Sequence, residues 1–184
     1  MFFWFVVLSI LGVFVVFRDD RMDYRLVAVG SLLPDLIDGA VFRGIGPFHS
    51  VIVAVALLFG VVGGTIGRRS TRKRMLAIPI GVFAHQVLDA SWAVTSAFWW
   101  PLKGFSFAGP LPVVQHGLAV GLIEEVVAVV AALSMWRALG LHRRSRRAQF
   151  LASGHLSQRR ANPDPRSVPP KSPKVPINPS DKHR

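Results

Sequence analysis

Residues 75–97 read MLAIPIGVFAHQVLDASWAVTSA, and the fold turns on them. The stretch runs for 23 residues with no Lys or Arg and a single acid, Asp89. A helix needs about 20 apolar residues to cross a hydrocarbon core, with tolerance near 17, so the stretch predicts a membrane span. Within it, His85 and Asp89 stand four apart, which puts both side chains on one helix face and within reach of a single ion.

Three further stretches, 1–17, 48–66 and 117–139, are apolar enough to span or nearly span in the same way. A fifth piece, LVAVGSLLPDLID at 26–38, is too short and carries Pro34 between charged positions. It predicts a re-entrant or interfacial helix, which at membrane depth must be covered by protein or line a wet cavity. No Lys or Arg precedes the first stretch, and no small-x-small cleavage site follows it before Arg18, so it reads as an uncleaved anchor. The expected fold is all-α: a polytopic membrane bundle of about four transmembrane helices plus one short re-entrant or interfacial helix, occupying residues 1–140.

Composition agrees. The chain is 51% hydrophobic yet holds 22 Lys and Arg against 10 acids, so apolar and basic residues must be segregated. Residues 141–184 contain 11 of the basic residues, seven of the 13 prolines and only two acids, Asp164 and Asp181. They predict a basic, Pro-rich disordered tail. Its RRSRR run suits anionic lipid headgroups, and no aromatic side chains alternate with the charges as a nucleic-acid stacking platform requires. A soluble domain of 140 residues could not bury so many apolar helices on every side. The absence of cysteine leaves His, Asp and Glu as the ligands for any transition metal.

Basic residues flanking the spans orient the bundle. Arg68, Arg69, Arg72, Lys73 and Arg74 fall on one side, with Arg137, Arg143, Arg144, Arg146 and Arg147. Arg18, Arg21, Arg25, Arg43 and Lys103 are assigned to the other. The larger group predicts a cytoplasmic tail in a multi-pass protein of the cell membrane.

Ionisable side chains within spans cost a few kcal/mol each on insertion scales and mark function. Asp35 and Asp38 are three apart on one face, His49 opens the second span, and Glu124 and Glu125 sit about two turns into the last. Taken singly, each has an ordinary reading: His85 as a hydrogen-bonded core histidine, Asp35 and Asp38 as turn caps, His49-Ser50 as a helix start, His116 as an interfacial group. Glu124 and Glu125 point about 100° apart, so only one can face the others squarely. Measured along the spans from the Trp99-Trp100 belt, the buried polar groups all fall in one half of the bilayer. Such a carboxylate-imidazole set suits zinc, manganese or iron better than calcium.

The strings GSLLPDLID (30–38), FRGIGPFHSVIV (42–53), FAHQVLD (83–89) and FWWPLKG (98–104) together resemble the successive motifs of the YdjM-like family of membrane-bound metal-dependent hydrolases. The resemblance covers roughly 25–130. It implies a distant likeness to zinc-dependent phospholipase C, with Asp35, His49, His85 and Asp89 as metal ligands. The expected function is hydrolysis of an ester or phosphoester, lipid-linked or soluble, by a metal-activated water. In that scheme Asp38 or Glu124 serves as general base or bridging ligand, and Arg43 stabilises the negative transition state. The competing readings are a non-catalytic membrane regulator or scaffold and, in third place, a metal-ion transporter.

Overall fold

In a computed structural model of the chain, residues 2–19, 22–105, 107 and 117–156 are described, and every regular element among them is helical. The helices are α1 (Phe2–Phe17), α2 (Tyr24–Val41), α3 (Val51–Gly64), α4 (Arg69–Met75), α5 (Ala77–Leu88), α6 (Thr95–Phe98), α7 (Gly117–Ala138) and α8 (Arg144–Ser153). Two 3-10 turns, Pro47–His49 and Ser91–Ala93, precede α3 and follow α5. One helix, α7, is by itself long and apolar enough to cross a membrane; α1 and α3 are shorter apolar helices.

Two expectations change. The piece at 26–38 is not a short re-entrant element but part of an unbroken 18-residue helix, α2, about 27 Å long. Pro34 lies inside this helix, where its missing N–H removes one rung of the backbone ladder without ending it. The stretch 75–97 is not one span. Asp89 caps α5, Ala90 turns left-handed at φ 50°, and the chain continues as a 3-10 turn and the single turn of α6. A left-handed residue after a helix stops it, a position usually given to Gly.

The heart of the bundle is the pairing of α2 with α5, flanked by α1 on both and by α3 on α5. The two helices meet where neither has a side chain. A Cβ on Gly30 would run into the Ile78 carbonyl, and one on Gly81 into the Val27 carbonyl. This backbone-to-backbone approach sets the register that carries the candidate site.

Because α2 runs back along α1, Arg18 and Arg25 lie at the same end as the 67–74 loop, not opposite it. Asp23 shows this directly: its buried carboxylate accepts from Arg25 Nε (3.1 Å) and from Arg74 Nε (3.0 Å). The correction sharpens the charge asymmetry, leaving Arg43 and Lys103 at the far end; Arg21 is outside the described residues. The expected disordered tail from residue 141 is also revised. Helix α8 docks against the start of α2, with Tyr24 N donating to Gly154 O (2.9 Å) and Arg25 Nη1 to Leu151 O (2.6 Å). Leu156 joins Val13, Tyr24, Val27 and Leu139 in the apolar core, so the ordered body reaches at least that residue. Residues 157–184 are outside the described residues.

Thirteen buried hydrophobic residues accompany eleven buried polar or charged ones among the described residues, while Val16, Phe59, Ile123, Val126 and Val130 lie exposed with many like them. Apolar exposure on that scale is unusual for a surface that meets only water.

Burial works to raise the Asp23 carboxyl's pKa, but the hydrogen bonds and charge of Arg25, with the Arg74 hydrogen bond, outweigh it and hold the group below its ordinary value. A lowered folded-state pKa contributes stability that is complete above the unfolded value, near 4, and is lost as pH falls through the folded one. Acidification below about pH 4 is therefore expected to loosen α8 from α2, read as faster amide exchange over 144–153. Asp23→Asn should show the same exchange at neutral pH. Separately, Gly81→Ala should cost roughly 1–3 kcal/mol by overpacking the crossing, measured by denaturant unfolding in detergent.

Candidate metal centre

Three segments bring four donor side chains to one end of the α2–α5 pair. Helix α2 supplies Asp35, the Pro47–His49 turn supplies His49, and α5 supplies His85 and its capping Asp89. His49 and His85 are fully buried and Asp89 nearly so. His49 Nε2 lies 3.5 Å from Asp35 Oδ1 and 3.8 Å from Asp89 Oδ2, and His85 Nε2 lies 3.7 Å from the same Asp35 oxygen. Ligand atoms of Asp35, His49 and His85 all lie within 4.8 Å of one another; Asp89, expected as a fourth ligand, stands beside His49 but is not a member of this converging set.

These distances are long for hydrogen bonds and right for shared coordination. Two ligands about 2.1 Å from a tetrahedral ion sit about 3.4 Å apart. Asp35 Oδ1, His49 Nε2 and His85 Nε2 are buried and have no hydrogen-bond partner among the described residues. Orphaned buried polar atoms of this kind call for an explanation, and an Asp35-His49-His85 group can hold a metal ion.

The other ring nitrogens are committed elsewhere. His85 Nδ1–H donates to the Ser31 carbonyl (2.8 Å), and His49 Nδ1–H to Asp38 Oδ2 (2.7 Å). Those bonds occupy Nδ1 of each ring, so in the neutral imidazoles Nε2 is the nitrogen that offers a lone pair to the cluster. The Ser31 contact exists because Gly30 and Gly81 let the two backbones close up. Phe5 of α1 covers His85, with ring centroids 4.2 Å apart.

Asp38 was expected as a general base or bridging ligand, and the geometry reassigns it. It is fully buried, and its carboxylate accepts from His49 Nδ1, from Gly46 N (3.1 Å) and from Phe48 N (3.3 Å). With three donors on it, Asp38 positions His49 and holds the 46–49 turn. Glu124 is not in the group whose ligand atoms converge, because α7 packs chiefly against α1 and not against the site-bearing helices. Arg43 is exposed, left-handed at φ 52°, and makes no ion pair with the cluster. His116 is outside the described residues.

Sequence reasoning found Ser50 as a helix start but missed the other supporting residues. Gln86 Nε2 donates to the Phe48 and Ser50 carbonyls (3.0 and 2.9 Å), tying α5 to the His49 turn. Ser50 caps α3 through Ile52 N and donates to the Trp100 carbonyl (2.7 Å). Ser91 Oγ donates to Asp89 Oδ2 (3.0 Å). An amide beside His85 in an otherwise apolar stretch was the available signal for Gln86. Gly46 had none, although a Cβ there would meet Asp38 Oδ1 at 2.6 Å.

Comparison with protein-family models, with curated proteins and with solved structures gives no match.

Replacing the carboxylate behind a metal-binding histidine typically costs 10–100-fold in affinity. Asp38→Asn is therefore expected to weaken binding of a divalent metal by about that factor, measured by competitive chelator titration of the purified protein.

Proposed function

We propose that this chain is a multi-pass membrane hydrolase that uses a divalent metal, zinc before manganese or iron, held by Asp35, His49, His85 and Asp89. The observation that carries the reading is the convergence of His49 Nε2 and His85 Nε2 on Asp35 Oδ1, all three buried and without a hydrogen-bond partner among the described residues. The resemblance to the YdjM-like family supports the same ligand set and an ester or phosphoester substrate.

A bound divalent ion would supply Lewis acidity and a water ionised near neutral pH. The chain's own residues do the rest. Asp38, Ser31 and Ser91 fix the donors' orientation. Asp35 is the one cluster member with appreciable exposure, its side chain 25% accessible against none for His49 and His85. Asp35 is therefore the member that substrate and water can reach, and its carboxylate is the group proposed to take the proton of the attacking water.

The many exposed large apolar side chains support a lipid surround, and the basic end, with α8, is read as cytoplasmic by the positive-inside rule. The cluster then lies in the outer half, open to a lipid-linked or external substrate. Val27, Ala77 and Val82 fill the interior between the cluster and the basic end. An apolar plug there favours a dead-end catalytic pocket over a transport path.

Metal analysis of detergent-purified protein, reconstituted with zinc or manganese, should find stoichiometric metal, lost in His85→Ala and reduced in Asp89→Ala. Hydrolysis of a chromogenic phosphodiester or ester should vanish with a chelator and return with metal. Unaltered protein that retains no metal after reconstitution would sink the proposal. Metal retention with no turnover of either ester would return the chain to a non-catalytic role.

A further inference from the structure

The end of the molecule remote from the metal cluster holds a second feature that the hydrolase reading does not use. Between the start of α2, helix α4 and the end of α8 lies a cleft of about 1240 Å³. Four cations line it: Arg25, Arg69, Lys73 and Arg74. Leu26 and Met75 form an apolar part of the wall. The nearby carboxylate, Asp23, is already bonded to Arg25 and Arg74 and sits nearly inaccessible behind them. Arg69 and Lys73 form no ion pair among the described residues, and their i,i+4 spacing places them on one face of α4. Like charges at that spacing repel, so the cleft carries a positive surplus that no ion pair among the described residues offsets.

We infer that this cleft binds the phosphate group of an anionic phospholipid at the membrane surface opposite the metal centre. Guanidinium forks and an ammonium are the donors suited to phosphate oxygens. The apolar wall of Leu26 and Met75 suits the glycerol and first methylenes of a lipid better than it suits a free anion. The site differs from the RRSRR run at 143–147, which contributes none of these four cations. About ten residues of α2 separate Arg25 from Asp35, roughly 15 Å of helix rise, so the two sites are distinct. Because α8 forms one wall, an occupied cleft ties the C-terminal helix to the membrane face.

The test uses the full chain in a neutral detergent, with chelator present so that the metal cluster takes no part. Binding of dioctanoyl phosphatidic acid and dioctanoyl phosphatidylcholine is measured by calorimetry or native mass spectrometry, with inorganic phosphate as competitor. The unaltered protein should prefer the anionic lipid at least tenfold. R69Q/K73Q should lose that preference while keeping its circular dichroism, and Lys73→Arg should retain it. Displacement of the lipid by millimolar inorganic phosphate would assign recognition to the phosphate group alone. Failure to displace it would assign part to the glycerol and chains. Equal binding of the two lipids, or an unchanged preference in R69Q/K73Q, would overturn the inference.

Discussion

The contact between α2 and α5 is made by backbone, and nearly everything else in the molecule inherits its geometry. Gly30 faces the Ile78 carbonyl and Gly81 faces the Val27 carbonyl, with no room for a methyl group on either. Close approach fixes the rotation of each helix about its own axis, because the glycine faces must oppose one another. One residue beyond Gly30, the Ser31 carbonyl meets His85 Nδ1; four beyond that, Asp35 meets His85 Nε2. Small-residue crossings of this sort serve membrane helices in particular, where lipid leaves no hydrophobic drive between helices and packing must supply the attraction.

Around that crossing the polar groups are layered. The innermost are the ring Nε2 atoms and the Asp35 and Asp89 carboxylates; behind them stand Asp38, Ser31 and Ser91; behind Asp38 stand the Gly46 and Phe48 amides. Each layer removes a rotational freedom from the one before it and so keeps the donors aligned. The opposite end of the molecule uses the same chemistry for a different purpose. There Asp23 joins α2 to α4, and its partner Arg25 reaches the α8 backbone, at a surface rich in positive charge.

Much of the cluster was legible because its members are costly. Asp35, His49, His85 and Asp89 stand in apolar surroundings where an ionisable group needs a reason, and their spacing on helices placed them in pairs. The partners of Asp38 were not legible: i,i+3 spacing shows that two acids share a face, not that one of them accepts from a loop eight residues on. Gly46 and Ser91 lie in loops, whose path depends on tertiary closure and leaves little periodic trace. The helical class was legible from apolar runs alone. Helix ends were not, since Pro34 failed to break α2 while Ala90, an ordinary helix former, ended α5 by turning left-handed. The docking of α8 was hidden by composition, because a basic helix with one Phe and one Leu resembles tail until its Gly154 is seen capping it against Tyr24.

The order of the donors along the chain has a consequence for how the protein is made. Every side chain and carbonyl that shapes the cluster, from Ser31 to Ser91, lies in the first half of the chain, and α7 touches chiefly α1. A ribosome that has delivered α1, α2, α3 and α5 has delivered every member of the candidate cluster before Gly117–Ala138 is synthesised. The longest apolar helix therefore arrives as a late partner for α1 and not as a wall of the site. The candidate cluster can therefore assemble before the chain is finished.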